Sequence, residues 1–105
     1  MRRGEVWWAQ LPKPVGRRPV VLVSRDEAYE VRKNVAVVEV TSVIRGVATE
    51  VALGPDDGLP RHCVANADAI NTIDRALLKT RVAGLSADRI KRLDAAPRFA
   101  LALDE

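Results

Sequence analysis

Apolar and polar positions along this chain follow a strand rhythm for most of its length and a helical one at the end. Glu5-Val6-Trp7-Trp8-Ala9-Gln10-Leu11 predicts a first strand, ended by Pro12 and Pro14. The continuous apolar run Val20-Val21-Leu22-Val23-Ser24 predicts a second strand, entered through Gly16-Arg17-Arg18-Pro19. Arg25 to Glu30 is a polar excursion with room for one helical turn, and Val35 to Thr41 is a long β-branched strand. Arg45-Gly46 marks a turn, after which Thr49 to Leu53 is expected to return as a hairpin or meander partner. Gly54 to Pro60 reads as a loop. Cys63-Val64-Ala65 and Ala69-Ile70 read as two short strands, and Lys79 to Ala83 as another. Short strands at this spacing predict a mainly β (α+β) chain, a small barrel with short helical insertions rather than a βαβ sheet.

The period changes after Leu85. Ser86 is placed to cap a C-terminal helix and Asp88 to favour its first turn. Ile90, Leu93, Ala96, Ala100 and Leu101 supply an apolar face at roughly helical spacing. Pro97 interrupts it, and an interior proline costs about 3 kcal/mol, so a kink or break is expected near Ala96.

With 105 residues the chain has room for one domain, expected to span 1–105. Its formal charge of +3 is mild, but its distribution is not. From Met1 to Arg25 the basic residues are Arg2, Arg3, Lys13, Arg17, Arg18 and Arg25, and the sole acid is Glu5. One end of the molecule is therefore expected to be electropositive and to attract a polyanion. The single Cys63 excludes an internal disulfide and fits a reducing, cytoplasmic setting. One His and one Cys are too sparse for a metal site, and neither a cofactor motif nor a membrane span is seen. Arg2-Arg3 is followed by a mixed segment rather than the apolar stretch of a signal peptide.

The most informative feature is Arg17-Arg18-Pro19. Pro19 fixes the backbone and holds Arg18 extended, so its guanidinium is presented rigidly beside a sheet, a good grip for phosphate. The ordinary alternative is a surface ion pair. Trp7 and Trp8 point to opposite faces of their strand, one toward a core or interface and the other free to stack on a base. Tyr29 is a weaker stacking candidate, His62 a candidate base because an unperturbed imidazole titrates near neutral pH, and Cys63 a small buried residue.

These segments together resemble the MazF/PemK family of toxin endoribonucleases. Arg2-Arg3-Gly4-Glu5-Val6-Trp7 is similar to the family's opening, Gly16 to Ser24 to its second strand, and Val38-Glu39-Val40-Thr41-Ser42 with Gly46 to its strand ending in Thr-Ser. Gly58-Leu59-Pro60, Cys63-Val64-Ala65-Asn66 and Leu85-Ser86 continue the likeness nearly end to end. The resemblance implies an SH3-like β-barrel with appended helices, a homodimer, and a metal-independent ribonuclease cutting single-stranded RNA at short sequences. It also implies a cognate antitoxin whose acidic, partly disordered segment blocks the groove and relieves the arrest of translation and growth. Arg18 and Thr41 match the family's catalytic Arg and Thr. The RNA contacts expected around them are Arg17, Lys13, Ser42, Arg45, Asn66 and Trp8. A non-catalytic SH3-like nucleic-acid binder or a gyrase-inhibiting module is the alternative, since a fold does not fix a function.

RNA chemistry asks little of such a site. The 2′-hydroxyl attacks the adjacent phosphate in line, and the protein supplies positioning, charge neutralisation and proton transfer. Arg18 offers a planar fork to two phosphate oxygens, and Thr41 offers a hydroxyl. The acid and base are harder to find. The loop Leu11-Pro12-Lys13-Pro14-Val15-Gly16 is short and lacks the carboxylate some family members carry there. Asp68-Ala69-Ile70 has Ala69 where the family often has Gln, which leaves Asn66 and Asn71 as candidates to read bases or to bond local backbone.

Overall fold

The computed structural model describes residues 1–100 and Ala102. Six strands form one antiparallel sheet in the order β4-β5-β3-β2-β1-β6: β1 Glu5–Gln10, β2 Arg17–Leu22, β3 Asn34–Thr41, β4 Glu50–Leu53, β5 Cys63–Asp74 and β6 Leu78–Gly84. A single turn of helix, α1 (Ala28–Val31), precedes β3, and α2 (Ala87–Ala100) follows β6. Alternation along the strands sends side chains to two cores. Val6, Val21, Val38, Val40, Val51, Leu53 and Ala65 pack with Leu93 and Ala96 of α2 on one face. Ala9, Leu11, Val20, Leu22, Val35, Val37 and Leu78 pack with Ala28 and Tyr29 on the other.

The SH3-like reading holds, with a correction: no ladder joins the edge strands β4 and β6, so the barrel is not closed by hydrogen bonds. Side chains bridge the gap instead. Val51 and Leu53 of β4 share a core with Val82 of β6, and Gly58 packs so close to Ala83 that a β-carbon there would lie 2.9 Å away. Nor do β3 and β4 form the expected hairpin or meander, because β5 lies between them. The two short strands expected at 63–65 and 69–70 are one strand. Its ladder with β3 jumps from Val40↔Ala65 to Val38↔Ile70, a bulge that absorbs Asn66 to Ala69. Asp68 is held there by a 2.7 Å hydrogen bond donated by Thr49 Oγ1.

The second strand begins earlier than its apolar run, at Arg17, because Gln10↔Arg17 and Ala9↔Arg18 extend the ladder with β1. The ladder with β3 starts only at Val20↔Glu39. Pro19 has no N–H to offer a ladder, so this end of β2 is paired on one side, which is where a strand tolerates proline.

Ser86 caps α2 as expected, its Oγ accepting from Arg89 N at 3.2 Å. The helix continues through Pro97 without the expected break, although proline has no N–H to offer the carbonyl of Leu93 one turn back. Leu93 is fully buried and Ala96 nearly so, whereas Leu101 and the side chain of Ala100 lie outside the described residues. At Gly4, φ is +87° and a β-carbon would meet Ile90 Cδ1 at 2.7 Å, so any other residue would be strained there and would force the Ile90 side chain of α2 to shift.

Candidate active site

The cations of the first 25 residues do not share one end of the molecule. β1 spans six residues, about 20 Å, and separates Arg2 and Arg3 from the loop carrying Lys13 and from Arg17 and Arg18. Arg3 is committed to α2 through Asp94 and donates from Nε to the carbonyl of Val23 at 3.2 Å. The loop end gains Arg45 and Arg61 from later in the chain.

At that end three depressions follow one another. The first, about 270 Å³, lies on the side of Pro19, Val40, Leu59 and Cys63 and is rimmed by Arg18, Thr41, Ser42 and Arg61. The second, about 330 Å³, is lined by Arg18, Glu39, Thr41, Val43, Arg45 and Asn66, with Ala69 completing its wall. The third, about 480 Å³, runs on past Glu39 to Lys13, Asn71 and Asp74. Arg18 and Thr41 line the first two and Glu39 the last two, so the three form one groove.

The local reasons are visible in the strands. Thr41 ends β3, and its Oγ1 accepts from Val43 N at 3.2 Å, turning the chain out of the sheet. Arg18 and Glu39 come together through the β2–β3 register, with Nη1 of Arg18 3.2 Å from Oε1 of Glu39. The other oxygen of Glu39 accepts a short hydrogen bond from Asn71 Nδ2. Arg45 is placed by its loop: its backbone N–H and that of Gly46 donate to the Glu50 carboxylate at 3.1 and 2.8 Å. Asn66 belongs partly to the local-backbone alternative, since its Oδ1 accepts from Asp68 N at 2.9 Å.

The tryptophans divide the two roles. Trp7 packs on the core with Val20 and Leu22 and donates from Nε1 to Glu5 at 3.1 Å. Trp8 pairs with Pro19, and the Arg17 guanidinium lies 4.4 Å from its ring centroid. Arg17 therefore stacks on Trp8 rather than reaching toward Arg18. Tyr29 is no stacking platform: it is buried, accepts from Ser24 N at 2.9 Å and donates to the Ala36 carbonyl at 3.1 Å. Burial pushes its phenol above the ordinary range. Burial, and then the charge of Asp57, also push the Cys63 thiol up, leaving it a poor nucleophile on the apolar wall of the first depression. His62 is exposed and lines none of the three depressions.

Glu39 and Arg61 are the groove residues that reading the sequence for a site passes over. Glu39 carried a signal: it is the one charged residue within β3 and stands two positions before Thr41, hence on the same face.

Comparison with known proteins agrees with this fold. Residues 2–101 match the family model for PemK-like, MazF-like toxins of type II toxin–antitoxin systems. The chain is 39% identical over 92 residues to the probable endoribonuclease MazF5 of Mycobacterium tuberculosis, covering 87% of this chain and 84% of that protein. It is 37% identical over 91 residues to the probable endoribonuclease MazF2 of the same organism, covering 86% and 87% respectively. Among solved structures, the M. tuberculosis toxin MazF-mt6 superposes with a TM-score of 0.86 at 30% identity, over 93% of this chain and 96% of that one. A mycobacterial endoribonuclease in complex with its cognate antitoxin superposes with a TM-score of 0.85 at 27% identity, over 98% and 96%.

Proposed function

The chain belongs to the PemK-like, MazF-like toxins of type II toxin–antitoxin systems, endoribonucleases by activity, and from that premise we propose that it cuts single-stranded RNA at the Arg18–Thr41 end of its groove. The observation that carries this reading is that Arg18 and Thr41, from two strands, line the same pair of adjoining depressions. The phosphate sits on the guanidinium fork of Arg18 with the Thr41 hydroxyl beside it. The RNA 2′-hydroxyl attacks that phosphate, and Arg18 neutralises the charge that develops. Lys13, Arg45 and Arg61 draw the backbone along the groove, with Ser42 and Asn66 in its walls, whereas the Trp8–Arg17 stack lines none of the three depressions. The cytoplasm is the compartment where this reaction meets its substrate; among the described residues no helix is long and apolar enough to cross a membrane.

A homodimer and a cognate antitoxin complete the reading. The antitoxin's acidic segment competes for the groove cations. Val43, Ile44 and Val47, exposed on the β3–β4 loop beside the second depression, give its apolar residues a place to rest. The test is to incubate the protein with a long, weakly structured RNA in the presence of EDTA and to map the new ends. Expected are discrete cuts leaving 5′-hydroxyl and 2′,3′-cyclic phosphate termini, none of them made by Arg18→Ala. Binding without cutting would favour a non-catalytic module, and cleavage by Arg18→Ala at the wild-type rate would remove Arg18 from the site.

A further inference from the structure

The groove is built for a polyanion, yet a carboxylate stands in the middle of it. Glu39 is the sole acidic residue among those lining the two depressions that hold Arg18 and Thr41. A carboxylate facing a phosphate path repels the substrate unless the chemistry uses it. It is also held in place. Arg18 Nη1 approaches one oxygen at 3.2 Å, and Asn71 Nδ2 donates to the other. An ionised carboxylate has about four acceptor positions, so two contacts leave it able to accept from a substrate hydroxyl.

We propose that Glu39 is the general base of the cleavage reaction, taking the proton of the attacking 2′-hydroxyl while Arg18 and Thr41 hold the phosphate. This rests on the ribonuclease reading above and supplies the base that the short β1–β2 loop does not. As the 2′-oxygen–phosphorus bond forms, its proton passes to Glu39. As the bond from phosphorus to the 5′-oxygen breaks, the leaving oxygen takes a proton from a water in the open groove. The hydroxide so formed recovers the proton from Glu39, and the enzyme ends as it began. Asn71 is then a positioning residue, fixing the carboxylate from β5. The charged groups sharing the depressions with Glu39 are Arg18 from β2, Arg45 from the β3–β4 loop, Lys13 from the β1–β2 loop and Asp74 at the end of β5. Three of these four are cations, so the carboxylate stands mainly among groups of opposite charge.

Glu39→Gln tests this, because it keeps the shape and one acceptor oxygen but removes the basicity. Single-turnover cleavage of a short single-stranded RNA and binding of its 2′-deoxy analogue are measured across acidic to neutral pH for wild type, Glu39→Gln and Arg18→Ala. The expected rate loss for Glu39→Gln is about 10²- to 10⁴-fold, the yield of a positioned base. Its affinity for the analogue should be preserved, and the acidic limb of the wild-type rate profile should vanish. The proposal is overturned if Glu39→Gln cuts within about threefold of wild type, if it retains the acidic limb, or if it loses affinity in proportion to rate. A changed cutting sequence at an undiminished rate would overturn it too, making Glu39 a reader of bases. In each of these cases Arg18→Ala still reports separately on the ribonuclease reading.

Discussion

Replacing Arg18 by Lys separates charge from shape at the centre of the groove. In the free protein Arg18 makes one contact with Glu39, at 3.2 Å, with the two side chains 38% and 17% exposed. A single-contact, partly exposed pair of this kind is worth about 0–1 kcal/mol. Lysine can remake it, so the unfolding free energy should move by less than about 1 kcal/mol. The reaction is more demanding. A guanidinium spans two phosphate oxygens with parallel donors, whereas an ammonium meets them as a point charge. Losing one donor aimed at the developing charge costs about 2.7–4 kcal/mol, or about 10²- to 10³-fold in rate. Arg18→Lys is therefore expected to melt like wild type and to cut slowly. Urea titration and single-turnover cleavage, both at one matched protein concentration, measure the two quantities side by side. A rate within about threefold of wild type would show that a bare positive charge suffices and that the fork is unused. A loss of more than about 2 kcal/mol of stability would show that the ion pair supports the fold.

Two further expectations concern the scaffold. Leu93→Ala removes the fully buried side chain by which α2 docks on the sheet and should cost about 2–5 kcal/mol in urea unfolding; a loss below about 1 kcal/mol would mean that α2 is not anchored there. Burial pushes the Glu5 carboxyl up, but hydrogen bonds from Trp7 Nε1, Arg81 Nε and Arg2 N outweigh it and leave the group below the ordinary range. Because the folded value is the lower one, its stabilisation is present above about pH 4.3 and lost as pH falls through the folded value. Melting temperature against pH should therefore drop on the acid side in wild type, and less steeply in Glu5→Gln; parallel curves would contradict it.

Most strands were legible because β-branched residues dominate runs such as Val35 to Val40 and turn residues separate those runs. β5 was misread as two pieces because Asn66 and Asp68 interrupt its apolar pattern, and a bulge held by Thr49 looks in one dimension like a gap. The supposed β3–β4 hairpin failed for a related reason: adjacency in the chain carries no information about a later strand inserting between two earlier ones. Arg18 and Thr41 were readable as polar residues at strand ends, and their shared groove fits that reading. Glu39 was hidden although its spacing from Thr41 was in plain view, because its importance depends on Arg18 arriving from another strand. Tyr29 shows the converse. It sits in a polar stretch, but its ring and hydroxyl are consumed by the core and by Ser24 and Ala36.

The Arg18–Glu39 contact bears on how binding responds to salt. Single-stranded RNA sheds condensed counterions when protein cations neutralise its phosphates, and the logarithm of affinity falls by about 0.7 per cation engaged for each decade of salt. That relation treats each protein cation as unpaired beforehand. Arg18 enters with an internal counter-anion, so its gain on meeting a phosphate is offset by separating it from Glu39. The residue proposed to hold the phosphate thus adds less than an unpaired cation would to the net electrostatic pull on the strand. The pull comes from its neighbours, which makes capture of RNA and its cleavage separately adjustable on one short stretch of sheet.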